Sequence, residues 1–163
     1  MKRTKGMFIG FMFGFIFSLL TSLVFMLFAQ GMAGGVTSFT GESWLYFATI
    51  IPFIVTFIIL GGYFAKRETV SNKKLWLISL LSAFLVTLYS GTIGALFGEW
   101  VVRGGSFITP TENGYTGVNF EGTLTWGLVY AFVLLPLTTP VARLLIQAFL
   151  ELLKKMKFSK LLY

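Results

Sequence analysis

Ala65-Lys66-Arg67-Glu68-Thr69-Val70-Ser71-Asn72-Lys73-Lys74 is a basic turn set between two long apolar runs, Trp44 to Phe64 and Leu75 to Phe97. One Lys or Arg at the centre of a bilayer costs roughly 3 kcal/mol on insertion scales, so a turn carrying several of them stays in water. The runs on either side must then enter the membrane from the same face. Two further apolar runs, Met7 to Phe28 and Thr123 to Ala142, flank this pair, and each of the four has 20 to 23 residues. At about 1.5 Å per residue, each reaches across a hydrocarbon core of roughly 30 Å.

Composition points the same way. Of the 163 residues 56% are hydrophobic and only 12% charged, whereas soluble domains carry about a quarter charged residues. The predicted fold class is an all-α integral membrane protein. It is a single domain, a bundle of four transmembrane helices over 7–28, 44–64, 75–97 and 123–142, followed by an amphipathic tail over 143–163. The first run is longer than the roughly 7 to 15 apolar residues of a secretory signal, so it is expected to be a retained helix.

The distribution of charge orients the bundle. Alternating the segments places Lys2, Arg3, Lys5, Lys66, Arg67, Lys73, Lys74, Arg143, Lys154, Lys155, Lys157 and Lys160 on one side. Arg103 is the one cation left on the other, where it joins Glu42, Glu99, Glu112 and Glu121. By the positive-inside rule both termini and the basic turn are cytoplasmic, in the cell membrane. Trp44, Trp76, Trp100 and Trp126 all fall at predicted span boundaries, the level that tryptophan prefers. The net charge of +7 therefore reads as membrane topology rather than as a nucleic-acid surface, for which exposed interleaved aromatics and a soluble domain are missing.

Catalytic chemistry is scarce. The chain has no Cys and no His, which removes disulfides, thiol chemistry, haem ligation and ordinary zinc sites. It shows no phosphate-binding glycine loop, no paired carboxylates within a span and no base to activate its serines. We therefore expect no enzyme, no cofactor and no metal.

Packing signals are plentiful. Gly6, Gly10, Gly14, Ser18 and Ser22 recur every four residues and form a small-residue ridge on the first helix. Such ridges let two helix backbones approach closely. Packing within the chain is the first expectation and homodimerisation the second. The opposite face, with Phe8, Phe11, Phe15 and Phe25, is left for lipid or a partner. A second small face on the third helix includes Ser79, Ser82, Ala83, Ser90 and Gly94, and Pro52 predicts a kink in the second.

Glu99 interrupts the end of the third run, with Arg103 four residues on. The run to Phe97 is long enough to span, which favours an interfacial Glu99. If the helix extends to Val102, Glu99 lies at the outer hydrocarbon edge and Arg103 can pair with it. The two form the candidate ion or solute site, since an ionisable residue inside a membrane is by default a functional hypothesis. Beyond them, Phe107 to Phe120 reads as a short hairpin about Asn113-Gly114. In the tail, Arg143, Gln147, Glu151, Lys154 and Lys155 share one helical face, and Lys157 and Lys160 follow. These cations are expected to contact anionic lipid or a protein partner.

The function expected from these features is that of a non-catalytic accessory or regulatory subunit of a larger membrane complex. Its partners would be the bilayer and other membrane subunits, or further copies of itself. The alternative is a small homo-oligomeric channel or transporter using Glu99 and Arg103.

Overall fold

Glycine sets how closely the first two helices approach. In α1 (Arg3–Met32), Gly6, Gly10 and Gly14 lie directly against the backbone of α2 (Trp44–Phe64) at Gly61, Phe57 and Phe53. A Cβ added to Gly14 would come 2.8 Å from the Phe53 carbonyl oxygen, and one on Gly61 would run into Gly6. With hydrogen alone at these positions, Cα–H groups of one helix rest on carbonyls of the other, a weak attraction typical of close helix pairs. Ser18 and Ser22 continue the ridge and are fully buried. Ser22 Oγ lies 2.6 Å from Thr49 Oγ1 across the interface.

The computed structural model describes residues 3–32, 43–67, 70–111 and 114–158. Gly34, Gly35, Gly41, Glu42, Glu68, Glu112, Asn113 and Lys160 lie outside the described residues. Those described form six helices and one two-stranded hairpin. The helix expected over 75–97 is divided into α3 (Asn72–Gly91) and α4 (Ile93–Val102). Ser71 caps α3, its side chain accepting from the Lys74 N–H. At Thr92 the backbone leaves the helical path with ψ −97°.

The division has a packing cause. Gly91, at the end of α3, meets Gly127 of α5 (Phe120–Val133), where a Cβ on Gly91 would come 3.1 Å from the Gly127 Cα. Immediately beyond, Gly94 and Gly98 of α4 lie against the α2 backbone at Ala48 and Trp44. One straight helix could not serve both neighbours. Pro52, buried in α2, has no N–H to give the Ala48 carbonyl, and the Gly94 backbone packs against that freed oxygen.

After α4, strands β1 (Ile108–Thr111) and β2 (Gly114–Gly117) pair antiparallel with Thr109 opposite Thr116. Gly114 has φ +124°, a value that favours glycine. Asn119 then caps α5, its Oδ1 accepting from the Gly122 N–H at 2.8 Å. The expected fourth span and tail are also regrouped, because the helix breaks at Leu134 and resumes as α6 (Leu135–Phe158). Pro136 explains the break, since it cannot donate to the Phe132 carbonyl. The whole segment nevertheless runs antiparallel to α3. Gly127 meets Gly91, the Phe132 ring lies 5.1 Å from Phe84, and Arg143 reaches Asn72.

Residues 143–158, read as the start of an amphipathic tail, form the second half of α6, and the apolar stripe of that half helps build the core. Ile146, Phe149 and Leu153 are buried in one cluster with Ile9, Phe13, Phe57, Leu60, Phe64 and Leu75. Ring centroids of Phe149 stand 5.0 Å from Phe13 and 5.2 Å from Phe57. Four helices, α1, α2, α3 and α6, are long and apolar enough to cross a membrane. Outward-facing Phe8, Val24, Leu77, Leu137 and Leu144 are each more than 60% exposed, an arrangement costly in water and natural in hydrocarbon. The chain has the architecture of a multi-pass, all-helical membrane protein.

Candidate functional site

Glu99 and Arg103 stand at the end of α4, which runs on to Val102. Arg103 Nε donates to Glu99 Oε2 at 2.8 Å, and its Nη1 donates to Thr109 Oγ1 of β1 at 3.0 Å. The guanidinium thus staples the hairpin to the helix. Both side chains are about a third exposed, at 28% for Arg103 and 32% for Glu99. An exposed pair one helical turn apart stabilises by about 0.3–0.5 kcal/mol. The carboxylate is paired with its neighbour, and the pair ties the end of α4 to β1.

Hydroxyls within the helices turn back on their own backbone. Ser18 Oγ donates to the Phe15 carbonyl at 2.7 Å, Ser79 Oγ to Leu75 at 2.7 Å and Thr92 Oγ1 to Leu88 at 2.5 Å. Ser90 Oγ and Thr139 Oγ1 are buried with no hydrogen-bond partner among the described residues.

Arg143 departs most from its expected place. The sequence puts it on the open face of the tail, toward lipid or a partner, whereas the structure buries it to 8% exposure between α6 and α3. Its Nη2 donates to Asn72 Oδ1 at 2.7 Å, and the guanidinium lies 5.7 Å from the Trp76 ring centroid. Nη1 is buried with no partner among the described residues. The cause is position: Arg143 stands one turn from Thr139 and three residues before Ile146, on the edge of the stripe that meets α3. Gln147, Glu151, Lys154 and Lys155 remain exposed, and Lys157 belongs to the last turn of α6.

Two concavities flank the second half of α6. A cavity of about 70 Å³ lies between the basic turn, α3 and α6, floored by Phe64, Leu75, Leu150 and Leu153, with Arg67 and Lys154 in its walls. The Arg67 guanidinium also lies 4.3 Å from the Tyr63 ring centroid. A wider groove of about 370 Å³ runs along α1 from Lys5 to Phe17, with Leu152 and Met156 of α6 as its other wall. Among the described residues no three His, Cys, Asp or Glu side chains gather where a metal could bind.

The structure therefore brings Gly6, Gly10, Gly14, Ser18 and Ser22 together against α2, pairs Glu99 with Arg103, and separates Arg143 from the exposed lysines. Sequence reasoning missed the partners Thr49, Asn72, Thr109 and Gly127, which become neighbours only through folding. The Gly94-to-Gly98 spacing was the signal that could have revealed the contact of α4 with α2. Comparison of the chain with models of known protein families, with curated proteins and with solved structures finds no match.

Proposed function

We propose that the chain is a non-catalytic accessory or regulatory subunit of a larger assembly in the cell membrane, with both termini and the basic turn on the cytoplasmic side. One observation carries this reading. The apolar stripe of α6 is spent inside the core, at Ile146, Phe149 and Leu153, so its polar face is held out by a fixed helix. Gln147, Glu151, Lys154 and Lys155 present mixed charge to the cytoplasm on a scaffold anchored in the bilayer. A rigid charged helix face suits a protein partner, because ordering costs little on binding. The alternative of a channel or transporter draws on Glu99 and Arg103, and their mutual pairing leaves that reading second.

Purification from native membranes in mild detergent, followed by native mass spectrometry, tests the proposal. A heteromeric complex is expected, and Lys154→Glu with Lys155→Glu should release the partner while leaving the thermal midpoint of the isolated chain unchanged. A pure homo-oligomer in the wild type would overturn the subunit reading in favour of transport.

A further inference from the structure

We infer that the groove between α1 and α6 holds one acyl chain of an anionic glycerophospholipid, with its phosphate at Lys5. This site is independent of the subunit reading. Phe8, Met12 and Ile16 of α1 and Leu152 and Met156 of α6 line the groove. Among the described residues Lys5 is its one charged lining residue, and no carboxylate lines it. Among the described residues Lys5 has no ion-pair partner, the pair present being Glu99 with Arg103.

Size selects the occupant. From Lys5 to Ile16 the α1 wall is about 17 Å long at 1.5 Å per residue, close to the depth of one leaflet, about half of a 30 Å core. A transmembrane helix seated along α1 would continue past Phe17 into the other leaflet, where the groove does not follow. A single hydrocarbon chain matches that depth. The apolar walls alone would not choose among lipids, since bulk lipid tails are as apolar as the groove. Selection rests on the lysine at the headgroup level, where a cation favours an anionic lipid.

The test is native mass spectrometry of the full-length protein given an equimolar mixture of phosphatidylglycerol and phosphatidylcholine with identical chains. The wild type should retain more phosphatidylglycerol. Lys5→Gln should lower the ratio about fivefold, the worth of one lysine near an anionic surface, while Lys5→Arg keeps it. Met12→Trp, which fills the groove, should lower retention of both lipids, with thermal midpoints confirming that each variant folds. Lys74→Gln, an exposed lysine outside the groove, should leave the ratio unchanged. Equal retention of the two lipids by the wild type would overturn the site. So would a fall in Lys74→Gln as large as in Lys5→Gln, or a homodimer that Met12→Trp dissociates.

Discussion

A single hydrogen atom decides the packing of the first helix pair. In Gly10→Ala the new Cβ meets the Phe57 carbonyl oxygen, which belongs to helical backbone and cannot move aside as a side chain would. The two helices must then part along an interface shared with Gly6 and Gly14. Overpacking of this kind costs about 1–3 kcal/mol, more than the roughly 1 kcal/mol that alanine gains over glycine in helix propensity. Gly31, in the same helix, has no atom of the described residues within 4 Å of a Cβ, so there the propensity gain stands alone. Unfolding midpoints in mixed detergent micelles should fall for Gly10→Ala and hold or rise for Gly31→Ala. Shifts of the same sign and size would refute close packing at Gly10. The ridge itself was legible in the four-residue spacing. Its partner was not, because α2 offers a row of carbonyls, and every sequence has those.

At the level of elements, the legible features were those with local causes. Asn113-Gly114 announces the hairpin through the conformation that the turn requires, and the length of the first three apolar runs announces three of the candidate spans. The breaks at Thr92 and Leu134 were harder to read. Gly91-Thr92 has no proline, and its departure from the helix follows from Gly127 on one side and Ala48 with Trp44 on the other. Pro136 was visible, yet proline is common in membrane helices, so a kink and a full break looked alike. The placement of Arg143 was likewise hidden, since a helical wheel cannot show that Asn72 and Trp76 will stand opposite it. The staple between α4 and β1 is local enough to test. Glu99→Gln should cost under about 1 kcal/mol of stability, leaving the unfolding midpoint nearly unchanged. It should still loosen Arg103 from Thr109, so amide exchange over 108–117 should quicken. Exchange as slow as in the wild type would mean that Arg103 holds the hairpin without its carboxylate.

For the whole molecule, two segments compete to make the fourth crossing. By length and composition alone it is Leu135–Met156 of α6. That choice places Arg143 near the middle of the bilayer, at roughly 3 kcal/mol on insertion scales, and turns exposed Gln147 and Glu151 toward lipid. The alternative is α5 followed by the first two turns of α6, close to the expected 123–142. This composite lies antiparallel along α3 from Gly91 to Asn72, and its outward side chains past the first turns are mostly apolar, among them Leu128, Val129, Phe132 and Val133. Arg143 then reaches the level of the first turn of α3, and the rest of α6 crosses the basic end of the bundle beneath Phe13 and Phe57. The physical balance favours the composite, because it buries no exposed polar face in hydrocarbon. The chain has no cysteine, so single substitutions report cleanly on access to a membrane-impermeant maleimide. Lys66→Cys and Gln147→Cys should label in inside-out vesicles, Ser106→Cys in right-side-out vesicles, and Val129→Cys in neither until detergent is added. If Gln147→Cys is protected and Val129→Cys reacts, α6 alone makes the crossing, and the cytoplasmic helix face on which the subunit proposal rests is lost with it.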